Sequence, residues 1–186
     1  MTTVRIGALC MRFGTLALLA SLGACATGAD PGAMTITTAP NTANVAFPRT
    51  LEHAMCVRNV TGGEETNPLW VSKVDDTAFK TALSGSLDTS GLSAPTAGNC
   101  GYPIDVNLLG LSQPAIGFVM TVTAHVNYKV YDTSGQPYLL LTIDAPYTAK
   151  MGDAFLAAER LKLANEGSVR TSIQMFFDKL RAGPAK

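Results

Sequence analysis

What this sequence has little of narrows it first. Lysine and arginine together number 14 against 14 acidic residues, and no run of like charge occurs. A nucleic-acid footprint and a charged tail are both disfavoured on that ground. Two histidines, one tryptophan and four cysteines leave few side chains for nucleophilic or metal chemistry. Gly62-Gly63 lacks the lysine and the following helix that a phosphate loop needs. The apolar stretch at Ile6 to Ala26 is near the length of a membrane span, about 20 residues, but it contains Arg12, which is costly at membrane depth.

That stretch reads instead as an export signal. Arg5 and Arg12 form a positive n-region, Phe13 to Leu22 an apolar h-region, and Gly23-Ala24 the small residues before a cysteine. Met11-Arg12-Phe13 begins a compact signal by itself, so translation starts at Met1 or at Met11. Leu22-Gly23-Ala24-Cys25 resembles the lipobox of bacterial lipoproteins, with Gly23 where that box prefers Ala, Ser or Thr. The resemblance implies cleavage between Ala24 and Cys25, with Cys25 lipidated as the mature N-terminus. Because Arg5 and Arg12 leave with the signal, 12 basic residues face 14 acidic ones and the mature chain carries about −2.

The domain plan is therefore a signal at 1–24, a lipidated cysteine and flexible tether at 25–44, one domain at 45–181 and a tail at 182–186. The tether is assigned because 26–44 is nearly free of charge and of large apolar groups, and so buries too little surface to offset its ordering entropy. Met34 to Thr37 is the one piece of it that reads as an added strand.

Within the domain, Leu51, His53, Met55 and Val57 alternate with polar neighbours as a strand does. Thr61 to Glu65 is a turn. Asp75 caps a helix starting near Asp76, with Phe79, Ala82, Leu83, Ser86 and Leu87 as its buried stripe and Gly91 as its stop. A strand at about 102–111, a second from Met120 to Val130 and a third from Tyr138 to Ala145 follow, the last two joined by a hairpin at Asp132 to Gly135. A long helix from about Ala154 to Arg181 closes the chain. Val169, Ile173, Phe176, Phe177 and Leu180 share one face of it, and Glu166 with Arg170 makes an i,i+4 pair. Its second half is firmly packed from Ala164; its first half shifts contact, bends near Gly167 or exposes an apolar strip. The resulting fold class is α+β: an antiparallel sheet of about four strands with two helices on one face, in the order strand-helix-strand-strand-strand-helix.

Cys56 and Cys100 remain once Cys10 leaves with the signal and Cys25 is acylated. In an oxidising compartment such a pair forms one disulfide, here closing a loop across the first helix and contributing roughly 3–4 kcal/mol in the chain-entropy model. A zinc set of His53, Cys56, Cys100 and His125 has the right ligand types, but residues 53 and 56 of one strand point to opposite faces. A Cys56 nucleophile with His125 as base meets a similar objection. His53 is assigned to the core, His125 to a polar face, and Asp75 and Asp76 to helix capping. No catalytic constellation, metal or cofactor follows.

Gly152-Asp153-Ala154-Phe155, leading into Arg160 to Glu166, together with the element order, resembles small proteobacterial envelope lipoproteins such as the YajG-type proteins and the lipopolysaccharide-assembly lipoprotein. That resemblance implies a lipid-anchored, periplasm-facing, non-enzymatic binding, assembly or transport accessory. Its partner would be an envelope protein, a β-barrel or a transport complex. Ala26, where inner-membrane retention would need Asp, implies the outer membrane. Leu156, Leu163 and Trp70 are the candidate partner surface. The alternative is a small lipid or ligand carrier, or a hydrolase, with its pocket between sheet and helices.

Overall fold

A computed structural model describes residues 26–37, 46–67, 72–96, 100–115 and 117–183. The signal, Cys25 and Trp70 lie outside them. In chain order the elements are α1 (Pro31–Met34), β1 (Met55–Thr61), α2 (Asp76–Thr89), β2 (Tyr102–Ser112), β3 (Met120–Tyr131), β4 (Pro137–Ala149) and α3 (Ala157–Ala182). The four strands form one sheet in the order β1-β2-β3-β4, with helices on one face and the other face open.

The α+β class holds, with one correction: the sheet is mixed. β1 and β2 run parallel, with Met55 opposite Tyr102 and Val60 opposite Val106. The other two pairings are antiparallel. The reason lies in α2, whose 14 residues span about 21 Å. That length carries the chain back along the helical face, so β2 re-enters the sheet in the direction of β1.

Two further expectations change. The strand expected at Leu51 to Val57 begins only at Met55. Arg49–Leu51 is a 3₁₀ turn, and His53 sits in the left-handed region at φ 52°. Leu51 and Met55 are both fully buried, so their spacing reports a turn between two core contacts, and His53 is exposed instead of in the core.

The tether is the larger change. Residues 26–37 lie along the helical layer, with Met34 and Ile36 buried. Asp30 caps the short α1, the Ile36 amide donates to Ser86 Oγ (3.0 Å), and the Thr89 hydroxyl donates to the Ile36 carbonyl (2.7 Å). Two large buried apolar side chains, with Ala26 and Ala29 buried beside them, and a row of satisfied backbone groups supply what the low-complexity composition hides.

β3 alternates without a break: Met120, Val122, Ala124, Val126, Tyr128 and Val130 are buried and face the helices. α3 returns Val169, Ile173, Phe176, Phe177 and Leu180, each fully buried, onto that surface. The helix is continuous through Gly167, and the glycine is a point of close approach: a Cβ there would overlap the Tyr147 ring. The expected Glu166–Arg170 pair is spent elsewhere. Glu166 accepts the Asp30 N–H (2.8 Å), and Arg170 Nη1 donates to the Ala33 carbonyl (2.7 Å). Both therefore fasten the 26–37 segment to α3. Burial pushes the Glu166 carboxyl above its ordinary range.

Candidate functional site

Three places carry the chemistry, and the first is the disulfide. Cys56 is the second residue of β1, opposite Pro103 of β2, and the backbone N–H groups of Gly101 and Tyr102 both donate to the Ala54 carbonyl. That pairing brings Cys56 and Cys100 to a Cα separation of 5.8 Å, and the two are bonded. With both sulfurs joined and His53 outside the sheet, the zinc donor set is not assembled. Asp75 caps α2 by accepting the Ala78 N–H, whereas Asp76, expected to cap as well, instead accepts the N–H of Gly63 and so ties the turn after β1 to the start of the helix.

The second place is the open sheet face, where the register decides everything. β2, β3 and β4 bring Ser112, His125 and Asp144 together from three strands. Ser112 Oγ lies 2.9 Å from His125 Nε2, and His125 Nδ1 lies 2.7 Å from Asp144 Oδ1. This is the connectivity by which a carboxylate orients an imidazole and the imidazole activates a hydroxyl. The setting is solvent-exposed, so these bonds act in high dielectric. On the same face Arg58 makes a two-point contact with Asp105 and lies over the Tyr131 ring. The Arg58 guanidinium holds the Asp105 carboxyl below its ordinary range. Asn59, Asn107, Asn127 and Lys129 border a shallow depression of about 220 Å³ beside that pair.

The third place is the end of the sheet where β2 stops, β3 starts and β4 stops. Here the chain turns through Gly117-Phe118-Val119 and through Lys150 to Leu156. Phe118 is 75% exposed and Phe155 85%, with Val119, Met151 and Leu156 exposed beside them. The two loops are held by one buried cation. Arg160 Nη1 donates to the Ala154 (2.9 Å) and Phe155 (2.7 Å) carbonyls, and Nη2 to the Gly117 carbonyl (3.4 Å). Of the two described members of the expected surface, Leu156 belongs to this patch. Leu163 does not: it is half-buried and rests on a second cluster formed by Met120, Val122, Ala149 and Ala164. The α3 periodicity left these alternatives open, and the contact with the β3–β4 end decides between them. Phe118 carried no mark in the sequence beyond an aromatic in a loop, and Arg160 stood only within the stretch that carries the lipoprotein resemblance, with nothing to assign it this clamp.

No family model matches the chain, and no curated protein matches it in sequence. In fold it is similar to the crystal structure of protein XCC0632 from Xanthomonas campestris, of the DUF330 family. That likeness has a TM-score of 0.58 and 11% identity, over 81% of this chain and 92% of that one. A minor lipoprotein from Acinetobacter baumannii is more distant, at a TM-score of 0.42 and 11% identity over 73% of this chain and 98% of that one. At these identities the first comparison establishes the two-layer architecture.

Proposed function

We propose that the chain is a lipid-anchored, periplasm-facing envelope protein, acylated on Cys25, that acts as a non-enzymatic binding, assembly or transport accessory at the outer membrane. The carrying observation is that Leu22-Gly23-Ala24-Cys25 stands one residue before a segment packed into the domain. An anchor there fixes the whole fold at the membrane. The uncovered sheet face, with its arrays of threonine, asparagine and charged side chains, is the surface offered to the partner. A carrier role is less well supported. Among the described residues, buried apolar side chains pack between sheet and helices, and a cavity at their edge, lined by Gly62, Val74, Leu108 and Leu111, holds about 10 Å³, barely a water.

In the native host, the mature N-terminal peptide is expected to carry acyl mass, and Cys25→Ala is expected to move the protein from the membrane pellet to the soluble fraction. An unchanged mass and distribution remove the anchor. Photo-cross-linking from position 140, exposed on β4 at the open face, then tests the partner: a single stoichiometric envelope protein is the expected product.

The Ser112–His125–Asp144 chain favours a second reading, a serine hydrolase working on the open face. Its test is labelling by a fluorophosphonate, which would vanish in Ser112→Ala and weaken by about 10²-fold or more in His125→Ala, the scale of a lost general base. Absence of labelling in the native chain removes this reading.

A further inference from the structure

We infer that the exposed apolar loops at the β2–β3 and β4–α3 junctions are a membrane-contact surface that lays this end of the domain on the bilayer holding the Cys25 anchor. The inference rests on the acylation proposed above and adds where the fold sits relative to the lipid.

Ala26 is buried. The Thr27 carbonyl accepts the Ser72 hydroxyl (2.9 Å), and the Ser72 carbonyl in turn accepts Asn165 Nδ2 (2.8 Å) and Gln113 Nε2 (3.1 Å). Gln113 also donates to Asn165 Oδ1 (2.8 Å). Residue 27 is thus tied to the last turn before the β2–β3 loop and to α3, one helical turn and a half beyond Arg160. Five residues of helix rise about 7.5 Å, so the residue that follows Cys25 and the Arg160 clamp occupy the same end of the molecule. The register agrees, since Ser112 pairs near Thr123 and Met120 pairs with Ala149.

Cys25 is one peptide bond, about 3.8 Å, from Ala26. Residues 26–37 are packed, so no slack separates an acylated Cys25 from the domain. The membrane surface must then run past the loops beside it. What those loops present is suited to that surface: Phe118, Val119, Met151, Phe155 and Leu156 project outward. The backbone behind them is stiffened by the buried Arg160, which keeps the carbonyls of residues 117, 154 and 155 satisfied away from lipid. Amphipathic surfaces with Phe and Leu seat about 5–10 Å into the headgroup boundary, and durable attachment takes more than one signal. The acyl chains supply one, the two loops the other. The open sheet face lies at right angles to this end and stays free for a partner.

The test uses the full acylated chain reconstituted in phosphatidylethanolamine–phosphatidylglycerol vesicles. Phe118→Cys, Phe155→Cys and, at the opposite end in the β3–β4 hairpin, Ser134→Cys each receive an environment-sensitive fluorophore. The other thiols are bonded or acylated, so each label is unique. Doxyl-labelled lipids are expected to quench the probes at 118 and 155 and to leave 134 bright, with blue-shifted emission only at the first two. Acyl mass on Cys25 is read on the same preparation. An acylated chain with unquenched probes at 118 or 155, or with equal quenching at 134, overturns the inference and leaves the anchor standing. A blue shift without quenching that grows with protein concentration assigns the patch to a second copy and also overturns it. No acyl mass on Cys25 overturns the anchor reading itself, and the inference with it.

Discussion

Phe176→Ala is expected to lower the unfolding free energy by about 3–5 kcal/mol, as read from the shift in the urea midpoint. Phe176 is fully buried at the middle of the interface between α3 and the sheet. Its ring stacks on Tyr128 at 4.3 Å with an interplanar angle of 5°, and Phe177 lies 5.9 Å away. Tyr128 in turn meets Phe79 of α2 edge-on at 6.5 Å, so one ring from each helix brackets the central strand. Alanine at 176 removes the transfer free energy of the phenyl group, leaves a cavity and strips Tyr128 of its stacking partner, a contact that adds about 0.5–1.5 kcal/mol beyond area. The buried Tyr128 hydroxyl meets Ser172 Oγ at 3.0 Å, a bond that holds this end of the ring against swinging into the gap, because breaking it would leave a buried polar group unpaired. Since small domains hold about 5–15 kcal/mol in total, the variant should sit near its unfolding threshold. Phe176→Leu, which keeps most of the volume, should lose under half as much. A midpoint shift below about 1 kcal/mol for alanine would show that α3 does not depend on this stack.

Removing the disulfide is the second large effect. Cys56 and Cys100 are 44 residues apart, and the chain-entropy model gives about 4 kcal/mol for closing a loop of that length. The loop holds all of α2 and the parallel crossover, the least local pairing in the sheet. Both cysteines are only partly buried, so Cys56→Ser with Cys100→Ser opens little cavity and acts mainly by freeing the unfolded chain. The expected result is a lower urea midpoint in the double variant, matched by the native chain under thiol reductant. Equal midpoints with and without reductant would sink it. In the reduced protein the parallel β1–β2 pair should be the first to open, because β1 is an edge strand whose outer side is held at its start, by the bridge from Met55 to Ser93.

Much of the fold was legible along the chain. The even positions of β3 could belong to no helix, and the structure buries all six. Asp75 and Gly91 mark the ends of α2 because capping is a local matter: a carboxylate needs only the next N–H groups, and a left-handed residue, here at φ 70°, only its own backbone. The pairing of Cys56 with Cys100 was legible by elimination, once Cys10 and Cys25 were assigned to the signal and the lipobox. Leu51 to Val57 misled because two core contacts four residues apart, at 51 and 55, fall on the same parity as a strand face. Composition misled at 26–37, where Met34 and Ile36 are few but both buried. A mean over the segment cannot register two anchors and a set of backbone bonds to Ser72, Ser86, Thr89 and Arg170.

By itself, the sequence determined the class of fold, the stripe of α2, the core faces of β3 and of the second half of α3, and the cysteine pair. All of these rest on spacing within a few residues or on the simple count of a residue type. Only the tertiary structure decided that β1 and β2 run parallel, that Ser112, His125 and Asp144 meet, and that Leu163 turns inward while Leu156 stays out. It alone brought the residue after Cys25 to the end that carries Phe118 and Phe155. Each of these is a relation between segments tens of residues apart, set by strand register and helix docking, and no periodicity within one segment encodes which neighbour it will meet.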